Sequence, residues 1–175
     1  SLALAPLFQK NLLTALSLTT LQSVSGAGYP GVASLDIIGN VLPYIEGEEE
    51  KIKEELCYLF QKEIPISIQC NRVPTLVGHL VSCEATFSKE MSVEALIEEL
   101  SIWSHENANG ALKICQEREG PQPRKTLHAN DMHVYVGRFQ KGMGANQLRF
   151  VVLGDNLGRG AAGAALANLR LYDCV

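Results

Sequence analysis

The stretch Cys70-Asn71-Arg72-Val73-Pro74-Thr75-Leu76-Val77-Gly78-His79 decides how this chain is read. It sets a guanidinium and an imidazole seven residues apart, with Pro74 and Gly78 between them. A guanidinium is a fork-shaped binder of carboxylates. An imidazole is the usual proton shuttle near neutral pH. Seven is an odd spacing, so on one unbroken strand the two side chains would face opposite ways. On a helix they would share a face, but Pro74 and Gly78 disfavour a helix. The spacing therefore predicts strand, bend, strand. Two outcomes stay open from these residues alone. Either the bend lets Arg72 and His79 converge on one pocket, or the stretch is a hairpin with one exposed Arg and one satisfied His.

The flanks agree with strands. Ile64 to Gln69 alternates and runs into Arg72, and Leu80 to Phe87 alternates again, as a half-buried strand does. Upstream, Ile45, Ile52, Leu56, Leu59 and Phe60 fit one face of a helix from about Glu48 to Gln61. Its acidic start, Glu46-Gly47-Glu48-Glu49-Glu50, suits the positive end of the helix dipole. Glu48 and Lys51 are three apart and so adjacent on that helix. They read either as part of a solvated face or as an ammonium-binding acid beside a phosphate-binding base.

Nearer the start, Ser1 to Leu12 reads as a helix and Ala15 to Val24 as a strand. Ser25-Gly26-Ala27-Gly28-Tyr29-Pro30-Gly31 is a loop with unusual backbone angles, able to turn N–H groups toward an anion or a flat ring. Asp36 is read as the cap of a short helix through Asn40. Ser92 caps a helix carrying Val93, Leu96, Ile97 and Leu100 to about Trp103. Asn107 to Asn130 reads mainly as loop, with His105 and His128 at the surface. Met132 to Phe139 and Gln147 to Leu153 are strands of a hairpin joined through Lys141 to Ala145, with His133 in a packing role. Asn156 leads a small-residue helix to about Tyr172. Strands joined by hairpins, with helices inserted between them, give an α+β class with a mixed, largely antiparallel sheet and flanking helices.

The 175 residues suit one domain, or one domain plus a remnant of another. A net charge of -4 gives no basic footprint for nucleic acid. No apolar run reaches the roughly 18 residues that a membrane span needs. Ser1 to Leu16 is apolar but holds Pro6, Gln9 and Lys10, and no basic region precedes it, so it makes a poor signal peptide. Cys57, Cys70, Cys83, Cys115 and Cys174 are scattered and odd in number, without a CxxC, as expected of reduced thiols in a cytoplasmic protein with no metal site. The chain opens without Met inside an apolar helical pattern, as a fragment of a longer protein would.

Five blocks together resemble one family. They are Thr20-Leu21-Gln22-Ser23-Val24-Ser25-Gly26-Ala27-Gly28-Tyr29-Pro30-Gly31-Val32, then Gly47-Glu48-Glu49-Glu50-Lys51, Cys70-Asn71-Arg72-Val73-Pro74 with Gly78-His79, Pro121-Gln122-Pro123-Arg124, and Asn156-Leu157-Gly158-Arg159-Gly160-Ala161-Ala162-Gly163-Ala164. In this order they resemble the C-terminal catalytic and dimerisation domain of archaeal and fungal aspartate-β-semialdehyde dehydrogenases, over essentially the whole chain. The resemblance implies a glyceraldehyde-3-phosphate-dehydrogenase-like C-terminal domain without the family's N-terminal Rossmann domain. It implies a remnant helix at 1–12, a catalytic and dimerisation domain at 13–155, and a C-terminal helix at 156–175 that would pack on the NADP-binding domain.

Enzymes of this family reduce aspartyl phosphate to aspartate semialdehyde with NADPH and release phosphate, in lysine, threonine and methionine biosynthesis. A cysteine attacks the acyl phosphate, hydride reduces the thioester, and a histidine moves the protons. By resemblance, His79 is that histidine and Gln22 the glutamine beside the thioester. Arg72 would bind the substrate carboxylate, Glu48 its ammonium and Lys51 the phosphate. Ser25, Gly26 and Asn156 would touch NADP. A homodimer formed through the sheet face is implied.

Three departures go with it. No cysteine stands in the family's Asn-Cys-Ser/Thr context, the Rossmann domain is absent, and Val77 replaces the more usual acidic residue before Gly-His. The chain by itself is therefore expected to bind NADP weakly and not to turn over. A malonyl-CoA reductase on the same scaffold and a non-catalytic dimerisation module are the competing readings, and N-acetyl-glutamyl-phosphate reductase is a more distant one.

Overall fold

In the computed structural model, which describes residues 1–172, the alternating runs become strands of one mixed sheet. In chain order the elements are α1 (Ala5–Gln9), β1 (Leu13–Ser23), α2 (Ser34–Ile37), α3 (Glu48–Phe60), β2 (Ile66–Val73), β3 (His79–Phe87) and α4 (Val93–Asn107). They continue with β4 (Leu112–Cys115), α5 (Pro123–Thr126), β5 (Val134–Lys141), β6 (Gln147–Gly154) and α6 (Gly163–Tyr172). The strand order is β2-β1-β3-β6-β5-β4. The inner pairings β1–β3, β3–β6 and β5–β6 are antiparallel, and the outer two, β1–β2 and β4–β5, are parallel. This is the expected α+β architecture.

Register puts the main apolar rows of the sheet on one face. Leu18 pairs with Ile68 and Cys83, and Cys83 with Phe150; Leu16 pairs with Ile66 and Ala85, and Ala85 with Leu148. Residues directly opposite in a ladder project to the same side, so these rows form a floor for the helices. Leu4, Leu7 and Phe8, Leu56 of α3, and Leu96 and Leu100 of α4 complete the core. Phe8 and Phe60 stack with ring centroids 4.3 Å apart and lock α1 to α3. The other face of β1 and β3 carries Ser17, Thr19 and Ser82, with Leu21, Leu80 and Leu153 in one row nearer His79.

Helix α3 begins and ends within a residue of the amphipathic run that predicts it. Ser92 caps α4 as its sequence implies, accepting from the Ala95 N–H at 3.1 Å. Other expectations need correction. Asp36 lies inside α2, not at its cap, which is Ala33. The loop assigned to 107–130 contains β4 and α5. Four residues are too few to show a period, and β4 is held by pairing to β5 rather than by its own pattern. His133 lies just before β5 and bonds through Nδ1 to Asp131 at 3.0 Å, so its role is polar rather than packing. Cys174 lies outside the described residues.

Candidate active site

Arg72 and His79 are not partners in a hairpin. Strand β1 lies between β2 and β3, pairing Gln22 with Arg72 on one side and with His79 on the other. The hairpin reading fails because two strands joined by a short bend need not be neighbours when a third strand inserts. One row of the sheet thus reads Arg72, Gln22, His79, Gly154, with all side chains directed to the helix face. Two strand spacings of about 4.8 Å separate Arg72 from His79.

The bend between them is fixed at both ends. Ser23 N–H donates to the Gly78 carbonyl at 3.2 Å and Val24 N–H to the Thr75 carbonyl at 2.9 Å. Gly78 has φ +120°, and a Cβ there would meet Pro123 at 3.1 Å and Leu127 at 3.3 Å. Only glycine meets both demands.

Arg72 is buried, and its Nη1 donates to the Ser23 carbonyl at 2.9 Å. Burial lowers its pKa, and Glu48 acts against that. Gly26 lies over it, since a Cβ at Gly26 would stand 3.0 Å from Arg72 Nη1 and 3.9 Å from Asn156 Nδ2. Gln22 is also buried and makes one long bond, Nε2 to Thr20 Oγ1 at 3.4 Å.

His79 opens onto a cavity of about 230 Å³ whose polar lining includes Glu48 and Thr20, over an apolar floor of Leu18, Val81 and Cys83. His79 Nε2 is buried without a hydrogen-bond partner. Burial pushes the imidazole pKa below its usual value, with Glu48 opposing and Arg72 assisting. The ring is accordingly neutral at pH 7 and able to accept a proton. Glu48 lines the His79 cavity, and its charge opposes the effect of burial on both His79 and Arg72. Lys51 reaches Glu48 at 3.7 Å across the helix surface and is more than half exposed. It does not line this cavity.

Asn156 is the hub of the remaining site residues. Its Oδ1 accepts from Ser23 Oγ at 3.0 Å and from Gly78 N–H at 2.8 Å, and its Nδ2 donates to Ser25 Oγ at 2.9 Å. Ser25 and Ser23 hydroxyls meet at 3.1 Å, which closes a ring. A second cavity of about 520 Å³ shares His79 and Val81 with the first and is lined by Gly154, Asn156, Arg159 and Gly160. The free N–H of Asn156, the bare backbone of Gly26 and the small residues of this second cavity suit the flat, amide-bearing end of a dinucleotide.

The structure thus brings together Arg72, Gln22, His79 and Glu48, and next to them Ser25, Gly26 and Asn156. Lys51 alone stands off, at the rim. Thr20 and Ser23 belong to the same site and were not singled out. Thr20 carried a usable signal, two residues before Gln22 and therefore on its face. Ser23 acts partly through its carbonyl, which no side-chain pattern reveals.

Among the described residues, these walls hold no thiol poised to ionise. Cys83 reaches the cavity, but burial pushes its pKa to about 12, so it stays protonated. Burial also raises Cys70, which is fully buried. Among the described residues no helix is long and apolar enough to cross a membrane.

Residues 4–159 match the family described as semialdehyde dehydrogenase, dimerisation domain. An aspartate-semialdehyde dehydrogenase from Archaeoglobus fulgidus is 39% identical over 97% of this chain and 53% of its own length. A malonyl CoA reductase (NADP) from Metallosphaera sedula is 30% identical over 98% of this chain and 54% of its own. The crystal structure of aspartate semialdehyde dehydrogenase with NADP from Candida albicans superposes with a TM-score of 0.78 at 29% identity, over 95% of this chain and 53% of that one. The chain spans about half the length of the curated relatives it matches.

Proposed function

This chain belongs to the semialdehyde dehydrogenase dimerisation-domain family, and we propose that it is the substrate-binding and proton-transfer half of an NADP-dependent reductase converting L-aspartyl 4-phosphate to L-aspartate 4-semialdehyde and phosphate. The observation that carries this reading is the row Arg72–Gln22–His79 with Glu48 facing it. The substrate bears a carboxylate, an ammonium and a phosphate. A fork-shaped cation, an anion and a second cation are the complementary set.

Each residue has a role its surroundings support. Arg72 spends one N–H on the Ser23 carbonyl, which fixes the guanidinium plane and leaves the rest of the fork for the α-carboxylate. Glu48 holds the α-ammonium. Lys51, at the rim, meets the phosphate. His79, neutral at pH 7, takes the proton of a thiol and returns it to the leaving oxygen. Gln22 steadies the charge that develops on the carbonyl oxygen. Ser1 and Ala3 line the His79 cavity, and a thiol that His79 serves would stand in that cavity. NADPH, held at Gly26, Ser25 and Asn156, supplies the hydride when bound.

The test is the oxidative direction in the intact protein: NADPH formed from aspartate semialdehyde, phosphate and NADP. No phosphate-dependent NADPH would sink the reading. A malonyl-CoA reductase, the second reading because one relative bears that name, would need CoA instead of phosphate and would be indifferent to Glu48→Gln. The uncovered sheet face around Ser17, Thr19 and Ser82 supports a homodimer, and sedimentation showing only monomer at micromolar concentration would argue against it. The free thiols Cys57, Cys70, Cys83 and Cys115 support a cytoplasmic setting.

A further inference from the structure

We infer that Glu49 is a positioning residue, which holds the helix carrying Glu48 and Lys51 in place against the strand carrying Arg72. This rests on the reading of those three residues as the substrate-binding set. The observation is a single bond: Glu49 Oε1 accepts the backbone N–H of Cys70 at 2.9 Å. Cys70 is two residues before Arg72 and fully buried.

Strand β2 is the outermost strand of its side of the sheet, so alternate backbone groups point away from β1 and need other partners. Arg72 satisfies its own pair through Leu42, donating to the Leu42 carbonyl at 2.8 Å and accepting from the Leu42 N–H at 3.0 Å. Cys70 has the same parity, and its outward N–H goes to Glu49. The edge beside the guanidinium is thereby closed by one residue of the preceding loop and one of the helix.

The start of α3 is otherwise set by backbone bonds alone, Glu48 N–H to the Ile45 carbonyl at 3.2 Å and Lys51 N–H to the Gly47 carbonyl at 3.1 Å. Its cap is Gly47 in the left-handed region, without a side-chain cap bond. A rotation of the first turn would swing Glu48 away from the cavity, because neighbouring helical residues are about 100° apart. Glu49 is anchored on the sheet, and Glu48 is aimed from that anchor. The alternative is that Glu49 merely favours the helix dipole, as any acid in the first turn does. Glu50 shares that position and charge but makes no bond to β2 among the described residues. It is the natural control.

The test measures steady-state kinetics of the intact protein with aspartate semialdehyde, phosphate and NADP. Glu49→Ala should raise KM for the semialdehyde about tenfold with a smaller change in kcat, the scale of one charge-assisted hydrogen bond. Glu49→Gln, which keeps the acceptor but not the charge, should recover part of that loss, and Glu50→Ala should leave KM unchanged. In a Glu48→Gln background Glu49→Ala should add nothing to KM for the semialdehyde, since Glu48 is the client that binds it, while any effect through Lys51 falls on KM for phosphate. Additive effects, or Glu49→Gln as impaired as Glu49→Ala, would overturn the inference. Amide exchange at Cys70 gives a readout without turnover: it should quicken in Glu49→Ala and not in Glu50→Ala, and equal protection in both would refute the tether. If the unaltered protein forms no NADPH, the functional reading fails while the exchange result still decides whether Glu49 is the anchor.

Discussion

Replacing Asp131 with Asn should lower the stability of the protein by about 2 kcal/mol at pH 7, and the loss should shrink on acidification. Asp131 is buried and accepts four bonds: His128 N–H at 3.3 Å, His133 N–H at 2.9 Å, His133 Nδ1 at 3.0 Å and Tyr135 Oη at 2.8 Å. Burial alone would raise its pKa, but the donors outweigh burial and bring it from 3.8 to about 2. That difference, at roughly 1.4 kcal/mol per unit, gives about 2 kcal/mol of stabilisation. The sign follows from a folded pKa below the unfolded one. The stabilisation is complete above about pH 4 and is lost as pH falls through the folded value near 2. At pH 3 about half of it should remain. Asparagine keeps one acceptor but turns an amino group toward the His128 N–H, which cannot reorient. Urea unfolding of both proteins at pH 7 and pH 3 reads the gap. Equal stabilities at pH 7, or a gap that widens at pH 3, would refute the argument. The consequence reaches the candidate site, because Asp131 N–H donates to Asp155 Oδ2 and Asp155 Oδ1 receives Leu157 and Gly158 N–H, which brackets Asn156.

Two predictions concern the site directly. Arg72→Lys should raise KM for the semialdehyde at least about tenfold, because an ammonium cannot bind Ser23 and a carboxylate as a planar fork does; steady-state kinetics with unchanged KM would remove Arg72 from the binding set. The acid limb of kcat/KM should have its inflection below 6.5, since burial depresses His79 and the neutral ring is the active form; His79→Asn should abolish that limb, and a limb that survives in the variant belongs to another group.

Much of the architecture was legible because it rests on local patterns. The face of α3 and the alternation of β3 are each carried by residues close in sequence, and the Ser92 cap needs only three positions. Strand order is different in kind. Period-2 alternation says which side of a strand is buried and nothing about which strand lies beside it. So Arg72-Val73-Pro74-Thr75-Leu76-Val77-Gly78-His79 showed a bend but not the insertion of β1. Glu49 and Asp131 were illegible for a related reason: each works by accepting backbone N–H groups, whose positions only the fold supplies.

The inserted strand also changes what the bend does. In a hairpin, the length of the bend would set the distance from Arg72 to His79. With Gln22 between them, that distance is two strand spacings whatever the bend contains. The bend is then free to serve orientation, and its bonds are spent that way: Thr75 and Gly78 carbonyls hold Val24 and Ser23, while Gly78 N–H is held by Asn156. Gly78, next to His79, is held on both its N–H and its carbonyl, so a change there would act on the aim of the imidazole and leave its separation from the guanidinium intact. The separation belongs to the sheet, the aim to the loops, and the two can vary independently among proteins built on this scaffold.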